Sequence, residues 1–303
     1  MRKQHSPKTG LVVNKMRGII IINQDNAHNE YKIKRLYEEA ASLNITLETY
    51  VNDGSLAKVE NGNVITNLSG DFIIYLDKDI YLAKLLEKAG FRLFNKPDLL
   101  KLCDDKMLTY ITLVNQGIPM PLTMSAPLIY RDKISENNYS FLKKVIENIG
   151  LPVVVKRNYG SLGEGVFIAN NLEELKDVYS KNFMHPLLFQ SYIESSKGRS
   201  IRALVIDGKF FGAFERCNSS DFRSNFHDGA SAREIELSPD YLELVNKLTK
   251  ILDIKYAGID LLYGKDGPVL CEINSNAFFE VFEQVTKKNV AKEYLKMILN
   301  NVK

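Results

Sequence analysis

The stretch that decides the fold is Lys156-Arg157-Asn158-Tyr159-Gly160-Ser161-Leu162-Gly163-Glu164-Gly165-Val166, which joins two strand-like segments, residues 152–156 and 166–169. Glycine adopts positive φ without strain and lets backbone N–H groups approach an anion closely. A lysine at the end of a strand adds a point charge for phosphate. In a Walker A loop the lysine instead follows the glycines and a helix comes next. By itself the stretch leaves two interpretations open, a plain glycine-rich hairpin beside a solvated lysine and a phosphate-binding loop of another kind.

Upstream of this loop the chain alternates between strand and helix patterns. Residues 18–23, 45–51 and 72–76 are strand-like, and residues 30–43 and 80–89 carry apolar side chains at helical spacing. This rhythm predicts an α/β unit, a small parallel sheet with helices on both faces.

Downstream the pattern changes to α+β. Residues 98–116 are predicted to form two helical segments, which end at the Gly-Ile-Pro-Met-Pro sequence of residues 117–121. Residues 201–215 are predicted to form a strand–turn–strand hairpin, and two further strands follow at 257–263 and 268–273. The latter two-thirds of the chain are therefore predicted to contain mostly antiparallel sheets.

Two carboxylates and an amide interrupt the apolar strands near the C-terminus. Asp260 lies in Gly258-Ile259-Asp260-Leu261, and Glu272 and Asn274 alternate along the next strand, so both face one side of it. Such hard oxygen ligands suit Mg²⁺ held against phosphates. Since an unpaired charge within an apolar strand is costly, a metal site is favoured over the alternative of a solvated face.

Arginines interrupt the preceding hairpin. Arg202 and Arg216 lie on its two strands, and Arg223 follows, with Asn225 two residues later. Inward-facing arginines suit a triphosphate or a developing phosphoryl charge, although each of them taken singly is also typical of a protein surface. The segment Phe-Gln-Ser-Tyr-Ile at 189–193 could offer its backbone to a flat ring or belong to the core.

Composition excludes several classes of protein. The chain has 303 residues, with 40 Lys and Arg against 37 Asp and Glu, a near-balance that argues against a dedicated nucleic-acid binder. The cysteines form no CxxC pair and the histidines show no metal-ligand spacing, so zinc is not expected. No apolar run approaches the ~20 residues that span a bilayer. We expect a cytoplasmic protein with reduced thiols, of which Cys217 alone lies near a suspected site.

Taken together and in this order, these segments resemble the ATP-grasp superfamily, and within it the RimK-like α-L-glutamate ligases. The resemblance covers roughly residue 95 to the C-terminus, and its most specific motif is Asp221-Phe222-Arg223-Ser224-Asn225. The other matching segments are Asp105-Lys106, residues 117–121, Val155-Lys156 with the glycine loop, residues 190–193, Ile201-Arg202, Glu215-Arg216, Gly258-Ile259-Asp260 and Glu272-Ile273-Asn274.

The resemblance implies an ATP-grasp fold in three parts. Residues 1–97 would form an N-terminal Rossmann-like parallel-sheet domain, which precedes the ATP-grasp unit. Residues 98–193 would form the central subdomain, with a helical lead-in and a glycine-rich lid, and residues 194–303 the C-terminal subdomain, with the metal site.

It also implies a role for each matching position. Implied contacts to ATP come from Lys106, Lys156, Gly160, Ser161, Gly163, Gly165, Gln190, Ser191, Tyr192, Ile193, Arg223, Ser224 and Asn225. Asp260, Glu272 and Asn274 would hold Mg²⁺ or Mn²⁺, with two ions expected. Arg216 and Arg202 are the implied catalytic residues, with Arg216 stabilising an acyl phosphate and the tetrahedral intermediate that follows it.

Two departures from the family pattern concern substrates. Ser200 stands where the family usually has an acidic residue that contacts the ribose. Residues 275–279 read Ser-Asn-Ala-Phe-Phe, where the family commonly has a tight small-Ser-Pro-Gly turn that borders the acceptor site. The two phenylalanines are predicted either to meet an apolar part of a substrate or to pack against the N-terminal domain.

The activity that the resemblance implies is ADP-forming ligation of a carboxylate to an amine through an acyl phosphate, as in an acid–amino-acid ligase. The partners would be ATP, a carboxylate and an amine, with a peptide or protein C-terminus or a metabolite as acceptor, and neither nucleic acid nor membrane. Another ATP-grasp reaction, with a thiol, hydroxyl or phosphoryl acceptor, and a non-catalytic nucleotide-binding module stay open. A homo-oligomer is also left open.

Overall fold

A computed structural model describes residues 15–24, 29–130, 133–134, 136–224 and 230–302. The strands are β1 Met16–Ile22, β2 Ile45–Val51, β3 Lys58–Glu60, β4 Asn63–Ile65, β5 Phe72–Tyr75, β6 Leu93–Phe94, β7 Thr123–Ser125, β8 Val153–Arg157, β9 Val166–Ala169, β10 Leu187–Ser191, β11 Arg199–Ile206, β12 Lys209–Asn218, β13 Ala230–Ile235, β14 Tyr256–Gly264 and β15 Gly267–Asn274. The helices are α1 Glu30–Ala40, α2 Ile80–Lys88, α3 Pro97–Asp104, α4 Lys106–Leu113, α5 Ser140–Ile149, α6 Leu172–Asn182, α7 Pro239–Ile251, α8 Glu280–Thr286 and α9 Val290–Val302.

The N-terminal sheet is parallel, in the order β2-β1-β5-β6. Because side chains alternate along a strand, Ile19 and Ile21 pack with α2 on one face, and Ile20 and Ile22 pack with α1 on the other. The predicted parallel sheet with helices on both faces is confirmed. β3 and β4 form a separate hairpin about the Asn61-Gly62 turn.

The second sheet is antiparallel, in the order β7-β10-β8-β9, and α5 and α6 cover one of its faces. Its core includes Val155 and Phe189 from the sheet with Val145 and Tyr179 from the helices, all of them buried. This sheet carries the glycine loop between β8 and β9.

The third sheet is also antiparallel, in the order β13-β12-β11-β14-β15. On one face Ile259 packs with Leu113 of α4 and Leu248 of α7, while on the other Leu204 and Tyr256 pack against α8, α9 and the N-terminal unit. The helical lead-in, α3 and α4, therefore packs on the C-terminal sheet, although residues 98–193 were predicted to form the central subdomain. The domain limits themselves stay a prediction.

None of the helices in the described part of the chain is long and apolar enough to cross a membrane.

Candidate active site

The register of the third sheet brings charged side chains into one row. Arg202 of β11 stands opposite Asp260 of β14, which stands opposite Glu272 of β15. Directly opposed residues in adjacent strands share a face of the sheet. Ser200, two residues before Arg202, stands opposite Arg216 of β12 on that same face. Five residues from four strands thus meet through register alone.

Two arginines surround the Asp260 carboxylate. Arg202 donates from Nη2 to Oδ2 at 2.8 Å and from Nε to Oδ1, and Arg216 Nη2 lies 2.9 Å from Oδ1. Burial alone would raise the pKa of Asp260, but the two guanidinium groups hold that pKa well below its usual range. Asp260 is therefore an ionised carboxylate inside the protein.

Asn274 completes a set of oxygen-bearing side chains beside this pair. Its Nδ2 donates to Glu272 Oε1 at 3.2 Å and lies 3.5 Å from Asp260 Oδ2. Within the described residues no three His, Cys, Asp or Glu side chains are grouped so that they could hold a metal ion, and the predicted donor set is two carboxylates and one amide. Hard oxygen donors of this kind fit Mg²⁺ or Mn²⁺. Asp260 would share its charge between such an ion and the arginines.

The glycine loop is held from two sides. Gly163 and Gly165 have φ of +80° and +72°, a region that side-chain-bearing residues rarely adopt, which explains why this loop needs glycine. Arg223 Nη1 donates to the Gly163 carbonyl at 3.1 Å, and Lys106 Nζ donates to the Gly160 carbonyl at 3.0 Å. The Asp-Phe-Arg motif and the helical lead-in thus both fix the loop.

Two buried lysines face the same space. Lys156 Nζ lies 3.8 Å from Cys271 Sγ, and neither it nor Lys106 forms an ion pair with a described residue. Burial lowers the pKa of Lys106, and the charge of Lys156 lowers it further, while Glu272 opposes the shift. Buried ammonium groups without anionic partners are costly. An anionic ligand such as a phosphate would neutralise these two ammonium groups.

These groups line one cleft between the second and third sheets, with a cavity volume of about 120 Å³. The predicted residues that line it are Lys106, Lys156, Gly160, Ser161, Gly163, Gln190, Ser191, Tyr192, Ile193, Arg216, Arg223, Ser224, Asp260 and Glu272. Gly165, Arg202 and Asn274 are not among its lining residues, and Arg202 and Asn274 instead contact the lining carboxylates. Asn225 falls outside the described residues.

Three residues of the cleft wall were not among the predicted site residues. Ser196, Arg199 and Ser200 line it, and Ser200 Oγ lies 2.5 Å from Ser224 Oγ while it accepts from Arg216 Nε at 3.1 Å. The only signal for Ser200 was its departure from the family pattern. The Ser200–Ser224 hydroxyl pair lies where the family usually has a carboxylate.

The expectation that Cys217 alone of the cysteines lies near the site is wrong, because Cys271 and not Cys217 is among the lining residues. The pairing of β14 with β15 shifts after Asp260, so that Asp260 opposes Glu272 but Leu261 opposes Leu270. Cys271 is left without an opposing residue. This bulge breaks the strict alternation from which a side-chain direction is read.

The segment after Asn274 packs mainly against the N-terminal unit. Phe279 is 1% exposed and its ring lies 6.1 Å from that of Tyr31, whereas Phe278 is 39% exposed. Asn95 Nδ2 donates to the Ser275 carbonyl at 2.6 Å. Of the two interpretations of the paired phenylalanines, packing against the N-terminal domain describes Phe279.

Comparison with known proteins gives a consistent result. Residues 103–298 match the RimK-like ATP-grasp domain. The chain is 30% identical over 289 residues to beta-citrylglutamate synthase B of Mus musculus, covering 89% of this chain and 72% of that one. It is 34% identical over 217 residues to human N-acetylaspartylglutamate synthase A, covering 71% of this chain but about half, 54%, of the relative. A RimK domain ATP-grasp protein from Sphaerobacter thermophilus has the same fold, with a TM-score of 0.71 at 17% identity over 93% of this chain and 99% of that one. The match to more than half of the chain, together with these relatives, shows that the protein belongs to the RimK-like ATP-grasp family.

Proposed function

We propose that this chain is an ATP-dependent, ADP-forming ligase that joins a carboxylate to the amine of an amino acid through an acyl phosphate. The observation that carries the proposal is a shared cleft. It brings together the glycine loop, the Asp260–Glu272 pair and two buried lysines that form no ion pair with a described residue. Membership of a ligase family and the names of its relatives as synthases support the same reaction class.

In this proposal the nucleotide lies along the cleft. Its base would lie at the end of β10, beside residues 191–193, and its phosphates between the two lysines and the glycine loop. The Ser191 amide already donates to the Leu122 carbonyl at 3.0 Å, so a backbone donor for the base must come from Tyr192 or Ile193. Asp260, Glu272 and Asn274 would hold Mg²⁺ or Mn²⁺, and two ions are proposed.

The chemistry follows from the positions of the charges. An oxygen of the substrate carboxylate attacks the γ-phosphorus, the bond from that phosphorus to the β–γ bridging oxygen breaks, and ADP leaves. A metal ion held by Asp260, Glu272 and Asn274 would supply Lewis-acid charge at the phosphates. Lys106 and Lys156 neutralise the oxygens of the transferred group.

The second half of the reaction forms the amide. The substrate nitrogen attacks the acyl carbon and loses a proton, and inorganic phosphate leaves. Arg216, fixed by Asp260 and Ser200, is placed to meet the charge that develops on the carbonyl oxygen. Such a preorganised donor can lower the activation barrier by about 3–4 kcal/mol. Arg202 would act through Asp260, since it donates to that carboxylate and does not line the cleft.

The relatives suggest glutamate as the amine and an acidic metabolite as the carboxylate. Both relatives are synthases named for compounds that contain glutamate, beta-citrylglutamate and N-acetylaspartylglutamate. A peptide or protein C-terminus remains a second class of acceptor in the proposal.

An ADP-release screen across carboxylic acids and amino acids tests this function. Turnover should need both organic substrates, stop in EDTA and return with Mg²⁺ or Mn²⁺. Hydroxylamine in place of the amine should trap the acyl group as a hydroxamate. Glu272→Gln should abolish turnover at unchanged thermal stability, and Glu243→Gln on α7, an exposed carboxylate, is the matched control. Full turnover in EDTA, or no hydroxamate with a substrate pair that releases ADP, would refute the proposal.

A further inference from the structure

The N-terminal sheet presents a second polar site beside the cleft. β1 pairs with β2 on one side and with β5 on the other, so the direction of the chain across the sheet reverses at β1. In open parallel sheets, ligands bind beyond the carboxyl ends of the strands at such a reversal. Here Asn23, after β1, donates from Nδ2 to Asp77 Oδ1, after β5, at 3.2 Å.

This edge of the sheet touches the segment that follows the metal-site strand. Asn276 Nδ2 donates to the Asp77 carbonyl at 3.2 Å. Asp77 Oδ1 in turn accepts from the backbone nitrogen of Lys78 at 2.6 Å, which fixes the base of that lysine. The backbone at Lys78 is therefore fixed by Asp77, which also binds the segment that follows β15.

The side chain of Lys78 reaches the end of α3, close to Lys106 of the cleft. Its Nζ lies 2.5 Å from Asp104 Oδ1, at the end of α3, two residues before Lys106. Lys78 remains 49% exposed and is not among the described residues that line the nucleotide cleft. Its positive charge nevertheless acts on Lys106, since it is one of the charges that lower the pKa of that lysine. A cation thus stands outside the cleft, on the side where Lys106 lies.

We propose that Lys78 binds a carboxylate of the acid or amino-acid substrate that takes no part in the reaction, and so makes the enzyme select substrates with a second anionic group. The inference rests on the proposed function. A substrate carboxylate would take the place of Asp104, or share Lys78 with it, at a site that half-exposure leaves open to solvent. An isolated surface ion pair with Asp104 would contribute little to stability and nothing to substrate specificity.

Matched pairs of substrates test this directly, because an amide replaces a carboxylate at nearly constant shape. ADP release is measured with succinate against succinamate as the acid, and with L-glutamate against L-glutamine as the amine. In at least one pair the wild-type protein should prefer the dicarboxylic member at least tenfold in kcat/KM. Lys78→Ala should reduce that preference to below threefold by raising KM, with the KM for ATP within twofold of the wild-type value. Lys78→Arg should retain most of the preference.

Two further variants separate this role from a structural one. Lys84, on α2, forms a similar ion pair with Asp98 at 2.5 Å, and Lys84→Ala should leave the preference intact. Asp104→Asn removes the competitor for Lys78 and should keep or raise it. A preference that persists in Lys78→Ala, or its absence from the wild-type protein while ADP is released, overturns the assignment of Lys78 but leaves the proposed function standing. No ADP release with any acid refutes the proposed function itself.

Discussion

Lys32, on α1, is the basis for a prediction about stability. Its side chain is 2% exposed, and no described carboxylate lies within ion-pair distance of it. Nζ donates to the Ala277 carbonyl at 3.2 Å and lies 5.0 Å and 5.7 Å from the ring centroids of Tyr256 and Phe279. Burial lowers the pKa of Lys32 from 10.5 to about 7. A cation is thus kept in a site that penalises its charge.

We predict that Lys32→Met stabilises the protein at pH 6. A pKa lowered from 10.5 to about 7 corresponds to a penalty of roughly 5 kcal/mol on the charged form, at about 1.4 kcal/mol per unit. The hydrogen bond to Ala277, which methionine cannot form, offsets about 1 kcal/mol of this penalty. Methionine fills a similar volume without a charge. The net gain in the free energy of unfolding should therefore be about 4 kcal/mol.

The gain should depend on pH with a definite sign. Between pH 7 and 10.5 the unfolded chain holds the Lys32 proton and the native protein releases it, so wild-type stability rises with pH in that window. Below pH 7 both states hold the proton and the penalty is complete. From pH 6 to pH 9 the advantage of Lys32→Met should shrink by about 2.7 kcal/mol, which would leave an advantage of about 1 kcal/mol at pH 9.

Urea unfolding at pH 6, 7, 8 and 9 measures both quantities. Lys34→Met is the matched control on the same helix, since the Lys34 side chain is 75% exposed, and it should change stability by less than about 0.5 kcal/mol at every pH. A Lys32→Met protein that is less stable than wild type at pH 6, or whose difference from wild type does not vary with pH, would refute the reasoning.

The remaining predictions concern the cleft and its supports. Lys156→Ala should weaken binding of a non-hydrolysable ATP analogue at least tenfold, about 1.4 kcal/mol, whereas Lys144→Ala, exposed on α5, should not; equal calorimetric affinities would contradict the phosphate assignment. Gly258→Ala places a Cβ 2.8 Å from Arg202 Cδ and 2.9 Å from Ala277 Cβ, so Arg202 should shift from Asp260 and kcat should fall at least tenfold; unchanged kcat would show that this ion pair is dispensable. Phe279→Ala should cost about 3–5 kcal/mol of stability, as core truncations of phenylalanine do, and the more exposed Phe278→Ala below about 1 kcal/mol; melting curves that shift equally would count against the packing described for Phe279.

Local sequence patterns determined most of the secondary structure. Runs such as 18–23 and 72–76 form strands within a residue or two of the predicted limits, because apolar periodicity and glycine or proline stops act over a few residues. β6 and β7, of two and three residues, were not predicted, since so short a strand carries no periodic signal. These strands form because a neighbouring strand offers them hydrogen bonds.

The residue types of the site were also readable from the sequence. A lysine before a glycine loop and carboxylates inside apolar strands are costly arrangements, and their cost is visible without coordinates. Most of the predicted residues do line one cleft, although they come from both antiparallel sheets.

Which partner each charge has was decided only by the tertiary structure. Arg202 was predicted to act in catalysis, but register places it against Asp260, behind the cleft wall. Cys271 lines the cleft because one bulge after Asp260 breaks the alternation of β15. In the sequence, nothing distinguishes Lys32 from other lysines on helices. In the fold it is buried against Tyr256 of the third sheet. Periodicity is a property of neighbouring residues, whereas strand register, bulges and the burial of a charge depend on segments that are distant in the chain and meet only in the folded protein.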